Sequence, residues 1–197
     1  MKSDYLKTLV FILIISVLFG ALLSGANALL RPQIKQNELI AEKKAVLYAF
    51  GLDDSGQADE IDNRFAELVS EEQIEGISAY AWKKTDGSVQ GYAVPFTGAG
   101  LWGTIRGFLA VTADLQTVLG LTFIEQNETP GLGGRIDEPA YKEQFRGVEI
   151  SIEEGFAYGT AGGDQLDAIT GATSTSRAVL QILNHTLQDT LATWEVP

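Results

Sequence analysis

An uncharged apolar run near the N-terminus is the strongest hydropathy signal in the chain. Residues 8–30, TLVFILIISVLFGALLSGANALL, form 23 consecutive positions without a charged side chain. At the helical rise per residue this run spans roughly 34 Å, enough to cross the hydrocarbon core of a bilayer. It fits either a cleaved signal peptide, with Ala-Asn-Ala at residues 26–28 as the cleavage site, or an uncleaved anchor. Its length, extended by Leu29 and Leu30, favours a transmembrane helix at residues 8–30.

The charges that flank the run give a weak orientation signal. Lys2 and Lys7 precede it, and Arg31 and Lys35 follow it, so the positive-inside count is nearly tied. The free amino terminus and the short leading segment favour residues 1–7 in the cytoplasm. The rest of the chain is then on the extracytoplasmic (periplasmic) side of the inner (plasma) membrane.

Small residues recur in the second half of the run. Gly20, Ser24 and Ala28 are four positions apart, and Ala21 and Gly25 repeat this spacing beside them. Such a face lets a second membrane helix approach closely, which would make the protein one subunit of a membrane assembly. Small residues are also common near the ends of signal sequences, so both interpretations stay open.

Beyond the run, apolar positions at helical spacing predict three helices. The first begins near Pro32 and ends around residue 51, and the polar segment that follows it predicts a surface loop. A short helix is predicted at residues 139–145. The last helix follows Ser174, with apolar side chains on one face.

Alternating apolar and polar positions predict strands between these helices. Residues 77–82 and 88–95 form one predicted hairpin across an Asp-Gly turn, and residues 104–112 and 117–126 form a second. Residues 148–152 are a further strand candidate. The order predicts an α+β fold: a helical linker region at residues 31–76, then one domain at residues 77–197 with a mostly antiparallel sheet and flanking helices.

Composition and charge exclude several function classes. The chain has no cysteine and one histidine, His185, so disulfides, zinc–thiolate sites, cysteine-ligated clusters and multi-histidine metal sites are excluded. No nucleophile elbow accompanies His185, so we expect it to be a surface or edge residue and not part of a hydrolytic triad. The first 35 residues carry a net charge of +3 and the remainder −15, within a total of −12. So acidic a domain predicts no nucleic-acid binding.

Two glycine-rich segments are candidate ligand loops. GAGLWG at residues 98–103 fits the dinucleotide fingerprint by letter, but a predicted strand follows it instead of a helix, which argues against a Rossmann site. Its apolar tip, Leu101 and Trp102, could wall an aromatic ligand or pack into the core. ETPGLGG at residues 128–134 closes a strand and predicts either a plain loop or a turn whose amides face a ligand.

The segment LDAITGATSTS at residues 166–176 places five hydroxyl side chains just before and within the start of the last helix. Gly171 allows a sharp entry, and Thr173 is expected to be the N-cap. Unpaired amides and the helix dipole would favour a phosphate at this point. A threonine cap with spare serines behind it is the simpler alternative.

Three motifs together resemble the FMN-binding domain family, in which an aspartate precedes a Ser/Thr-Gly-Ala-Thr core. DAITGATSTS resembles the flavinylation motif, ETPGLGG a second signature, and GLWG a third that is stronger in the Nqr branch. The similarity extends from about Trp82 to Leu183. Within the family, the chain is similar to the RnfG component of the Rnf complex and to the NqrC component of the sodium-pumping NADH:quinone oxidoreductase, and these two are not separated.

The resemblance implies covalent FMN, joined through its phosphate to Thr173 by a separate flavin transferase. Further implied site residues are those of the sequence that the transferase recognises, Asp167, Thr170, Gly171 and Ala172, and those expected against the flavin ring, Leu101, Trp102, Glu128, Thr129 and Leu132. The acidic surface and Glu128 should disfavour an anionic flavin.

The resemblance also implies electron relay between membrane subunits of a complex that moves Na⁺ or H⁺. Such a subunit would transfer electrons and would not be an enzyme on its own. A stand-alone extracytoplasmic flavin carrier for a reductase is one alternative. A flavin-free, membrane-anchored interaction module is another.

Overall fold

The computed structural model describes residues 2–159 and 166–194, with side chains from residue 5 onward. The chain divides into two compact units, Met1–Leu39 and Ile40–Pro197. The long helix α1, Lys2–Phe50, contains the whole described part of the first unit and continues into the second.

In the first unit, α1 exposes its apolar side chains. The helix is long and apolar enough to cross a membrane by length and composition, and its most apolar window has no residue buried inside the structure. Exposed large side chains include Phe11, Leu18 and Leu23. A helix that is apolar all round and unburied is typical of a membrane span rather than of a soluble core.

In the second unit, five strands form an antiparallel sheet in chain order. Helix α2 (Ala58–Leu68) is followed by β1 (Val69–Ile74), β2 (Ile77–Lys83), β3 (Val89–Ala99), β4 (Thr104–Thr112) and β5 (Val118–Glu125). Within the part of the chain that the structure describes, each strand of this sheet pairs only with its sequence neighbours. The remaining helices are α3 (Pro139–Lys142) and α4 (Thr173–Asp189), and 3₁₀ turns lie at Gly133–Asp137, Glu143–Phe145 and Leu191–Thr193.

Helices cover both faces of the sheet, and the strand sequences show it. Ala93 and Ala110, a cross-strand pair, face a cluster with the end of α1 and with α2. Val94 and Leu109, the next pair, face the opposite cluster, which includes Leu183 of α4. Because both faces are buried, the middle of each central strand is a continuous apolar run. Full burial of a Val or Leu side chain stabilises the fold by about 1.5–3 kcal/mol relative to leaving that side chain exposed.

The predicted α+β class, the antiparallel sheet and the flanking helices are confirmed. The structure differs in four places. Helix α1 continues through Pro32, near which a separate helix was predicted to begin. The segment predicted as helical linker contributes a strand, β1, to the sheet, and the predicted surface loop ends where α2 begins at Ala58. Residues 148–152 form only an isolated bridge, between Glu149 and Thr117. Part of the predicted domain at residues 77–197 lies outside the described residues.

Candidate functional site

A tight turn brings the chain into α4. Gly171 has a φ of +80°, a left-handed conformation that glycine adopts without strain. The Ala172 N–H donates to the Ile169 carbonyl at 3.0 Å, and the Ile169 N–H donates to the buried Ser176 Oγ at 3.0 Å. The turn is therefore held by a hydroxyl from the helix that it precedes.

Thr173 is the first residue of α4, with an exposed side chain. The prediction of Thr173 as N-cap is wrong by one position, because Ala172 occupies the cap. Alanine has no side-chain acceptor, so nothing at the cap position can accept a hydrogen bond from the first-turn amides. The start of this 17-residue helix is thus a ready site for an anion, with a hydroxyl beside it.

The helix start opens into a cavity of about 330 Å³. Three chain segments line it: the β3–β4 connection, the turn after β5 and the first turn of α4. The lining residues are Leu101, Glu128, Thr129, Leu132, Gly133, Gly171, Ala172, Thr173, Ser174 and Thr175. Most of the residues predicted from the three motifs are therefore brought together around one space.

Exposed apolar side chains flank this cavity. Leu101 is 57% exposed and Leu132 is 46% exposed, although both side chains are large and apolar. A Cβ added to Gly171 would be 3.5 Å from Leu132, so the helix entry and this side chain are in near contact. Trp102 is 68% exposed but is not among the lining residues. Leu101 and Leu132 can wall a flat aromatic ligand, and neither they nor Trp102 are core residues.

The GAGLWG segment forms the turn of the hairpin between β3 and β4. This agrees with the expectation that it is not a dinucleotide site. Ala99 pairs with Thr104, and the Gly100 N–H donates to the Gly103 carbonyl at 2.7 Å. A strand follows, so the phosphate-binding helix of a Rossmann unit is absent at this point of the described chain.

The turn after β5 binds its own backbone. The Thr129 carbonyl accepts from the Leu132 N–H at 3.1 Å and from the Gly134 N–H at 3.0 Å. These two amides are therefore not free for a ligand, although amides free to face a ligand were one of the two predictions for this turn. The side chain of Thr129 is exposed and lines the cavity.

Glu128 is buried, with 5% of its surface exposed. Its Oε1 accepts from the N–H of Leu101 at 2.8 Å and of Trp102 at 3.0 Å, and its Oε2 accepts from Thr175 Oγ1 at 2.5 Å. The carboxylate thus joins the three segments that line the cavity. The sequence indicated a contact with the ligand but not this structural role.

Asp167 and Thr170 are exposed and lie outside the cavity lining. The side-chain amide of Gln144 holds both backbone groups of Asp167. The Asp167 N–H donates to Gln144 Oε1 at 2.7 Å, and the Asp167 carbonyl accepts from Gln144 Nε2 at 3.2 Å. This pairing leaves the Asp167 side chain at the surface, where an external protein can reach it.

Sequence reasoning missed Thr175, Gly133 and Ser176. Thr175 and Ser176 are buried among exposed hydroxyls of the same type, and only the 3.6-residue period of α4 distinguishes them. The backbone carbonyl of Ser176 accepts a hydrogen bond from the Tyr158 hydroxyl at 3.0 Å. Burial raises the pKa of Tyr158, which therefore remains a neutral donor that supports the helix start.

His185 is a surface residue, as expected. Its side chain is 73% exposed and its Nδ1 lies 2.9 Å from an Asp189 oxygen, one helical turn away. Among the described residues, no group of three or more histidine, aspartate or glutamate side chains could hold a metal ion.

Comparisons with known proteins agree with this geometry. The model of the FMN-binding domain matches residues 100–188, which include all three cavity-lining segments. The NqrC component of the Na⁺-translocating NADH-quinone reductase of Pasteurella multocida is 29% identical, over 90% of this chain and 88% of that protein. The corresponding component in Chlamydia trachomatis is 36% identical, over 56% of this chain and 42% of that protein.

Solved structures give the same result. NqrC of Parabacteroides distasonis is 28% identical with a TM-score of 0.69, over 82% of this chain and 95% of that one. NqrC of Shewanella oneidensis, at 23% identity and a TM-score of 0.65, covers 79% of this chain and 93% of that one, and it supports the fold. Residues 100–188 therefore match an FMN-binding domain, and the chain is similar over most of its length to the NqrC components of Na⁺-translocating NADH-quinone reductases.

Proposed function

We propose that this chain is a membrane-anchored protein that carries FMN, joined through its phosphate to Thr173 Oγ, and relays electrons within an ion-translocating NADH-linked complex. The observation that carries the proposal is the start of α4. There an exposed threonine and an uncapped helix end share a cavity with exposed apolar side chains.

The described residues fit a phosphate ester. A phosphodiester at Thr173 retains one negative charge, and the first-turn amides and the dipole of α4 favour that charge at this position. Ser174, also exposed, is a second hydroxyl at the same end of the helix. A covalent bond would also prevent loss of the group into a compartment where free flavin is scarce.

The described residues also fit a flavin ring. Leu101 and Leu132 offer apolar contact, and the Thr129 hydroxyl offers a hydrogen bond at the polar edge. When bound, FMN supplies reversible electron transfer, and the protein supplies burial, orientation and charge. The buried Glu128 carboxylate disfavours an anionic form of the flavin ring.

The exposed apolar side chains of α1 support a membrane anchor at residues 8–30. We propose further that this anchor lies in the inner membrane, with the FMN domain on the periplasmic side. The relatives are named as subunits of the NADH-quinone reductase, which supports membrane partner subunits and, among the two family branches, the Nqr type. A flavin transferase would act during maturation, with Asp167, Thr170, Gly171 and Ala172 as its recognition sequence.

The proposal is tested by expressing the full chain with and without a flavin transferase. We expect the intact mass to rise by that of FMN less one water only with the transferase. Thr173→Ala should abolish the rise, and Ser174→Ala, the matched neighbouring hydroxyl, should preserve it. An unmodified wild-type chain in the presence of active transferase would contradict the proposal and favour a flavin-free module.

Complex membership is tested separately. Affinity purification from native membranes should recover multispanning subunits together with the flavin-carrying chain. Recovery of the flavoprotein alone would contradict the complex and favour a stand-alone carrier.

A further inference from the structure

The Glu128 carboxylate and the Thr175 hydroxyl form a buried link, here called the clamp, between the helix start and the Leu101–Trp102 loop. Glu128 Oε1 holds two consecutive amides of that loop, at 2.8 and 3.0 Å. Its Oε2 holds Thr175 Oγ1, which belongs to a residue that is 2% exposed. Thr175 lies two residues after Thr173 in the same helical turn, so the clamp connects the loop to the proposed attachment point.

Two glycines allow the clamp to close. A Cβ on Gly100 would lie 2.5 Å from Glu128 Oε1, and one on Gly133 would lie 2.5 Å from Thr175 Oγ1 and 2.9 Å from Glu128 Oε2. Only hydrogen atoms fit at these two positions. The carboxylate is therefore enclosed by backbone on both sides, which fixes its position.

The Leu101–Trp102 loop depends on the clamp for its position. Its two large side chains are 57% and 68% exposed, so core packing does little to hold them. The two amides that donate to Glu128 tie the loop tip to the domain interior. Without the hydroxyl of Thr175, one buried carboxylate oxygen would lose its donor, which is costly.

We propose that Thr175 is a positioning residue for the flavin. Through Glu128 it sets the position of the Leu101–Trp102 loop relative to Thr173, and hence the wall against which the flavin ring lies. This inference rests on the proposed function. Thr175 acts through another residue and contacts the loop only by way of the carboxylate.

The test compares Thr175→Val, which keeps the branched shape and removes the hydroxyl, with Thr175→Ser, which keeps the hydroxyl. Gln181→Ala is the control for an exposed side chain of the same helix that lies outside the cavity lining. In the full chain expressed without the transferase, amide hydrogen exchange is measured at Leu101 and Trp102. We expect protection in the wild type, Gln181→Ala and Thr175→Ser, and roughly tenfold faster exchange in Thr175→Val.

The second readout uses the flavin-loaded full chain. Thr175→Val should change the visible circular dichroism and the midpoint potential of the attached flavin, and Thr175→Ser should restore both. Unprotected amides in the wild type, or a Thr175→Val protein with wild-type exchange, would overturn the inference whether or not the variant is loaded. Absence of flavin from the wild type would instead contradict the proposed function. The exchange measurement would still show whether Thr175 positions the Leu101–Trp102 loop.

Discussion

Glu143 illustrates how one side chain joins distant segments. Its Oε1 accepts from the Tyr48 hydroxyl at 2.6 Å, and its Oε2 accepts from Arg146 Nε at 2.9 Å. The hydrogen bond from Arg146, followed by that from Tyr48, lowers the pKa of Glu143 below its ordinary value of 4.5. A carboxyl with a depressed folded pKa stabilises the fold when it is ionised.

The pH dependence of this contribution has a definite sign. The stabilisation is fully present above 4.5, the unfolded value, and is lost as the pH falls through the lower folded value. Glu143→Gln should therefore lower the free energy of unfolding at neutral pH, and its difference from the wild type should shrink well below 4.5. Urea titration of both full chains in detergent measures this. A difference that is constant with pH would contradict the assignment.

Single residues of the site differed in how far the sequence predicted them. Thr173, Gly171 and Leu132 were identified because the motif letters specify them, and they line one cavity. Thr175 was missed because a buried hydroxyl has the same letter as an exposed one. The role of Glu128 was missed for a related reason: its partners are 26 to 47 residues away along the chain.

Arg146 joins secondary-structure elements. Its guanidinium donates to the Tyr48 carbonyl at 3.2 Å and to the Ala49 carbonyl at 3.4 Å, both in the last turn of α1, and also to the Leu119 carbonyl in β5. The last carbonyls of a helix have no intrahelical partner, and a cation there also favours the helix dipole. Arg146 is therefore the C-terminal cap of α1 and ties it to the sheet.

Removing this cap should weaken the fold. We expect Arg146→Ala to lower the free energy of unfolding by roughly 2 kcal/mol, because several charge-assisted hydrogen bonds are lost together. Arg135→Ala is the control, since the ion pair of Arg135 with Glu138 is a surface contact and should contribute at most about 1 kcal/mol. Equal losses for the two variants in chemical denaturation would contradict the capping role.

Elements with strong local signals were predicted, and elements without them were not. The alternation and turns of β2 to β5 gave both hairpins. The edge strand β1, VSEEQI, was missed because it is polar on its exposed face, as edge strands often are. Helix α2 was missed because its first residues, ADEID, continue the polar segment that precedes them. Its entry depends on the Glu60 carboxylate, which accepts from the Gln57 N–H at 3.1 Å.

At the scale of the whole molecule, charge separates the ends of the chain. The first 35 residues carry +3 and the rest carry −15, but the positive charges that flank the apolar run are nearly tied. The proposed orientation, with residues 1–7 in the cytoplasm, therefore rests on the free amino terminus and the short leading segment. The chain has no cysteine, so single cysteines can report topology. Gln181 is an exposed position of α4, so an impermeant maleimide should label Gln181→Cys in intact cells. The same reagent should label Ser3→Cys only after the cells are opened. The reverse pattern would contradict the orientation.

The proposed function depends on one oxygen atom, Thr173 Oγ. Peptide mass spectrometry of the protein from native membranes tests it most directly, through the tryptic peptide at residues 147–177. The account predicts that this peptide carries the mass of FMN less one water and that fragmentation places the addition on Thr173. An unmodified peptide from cells with an active transferase, or an addition on another residue, would contradict it.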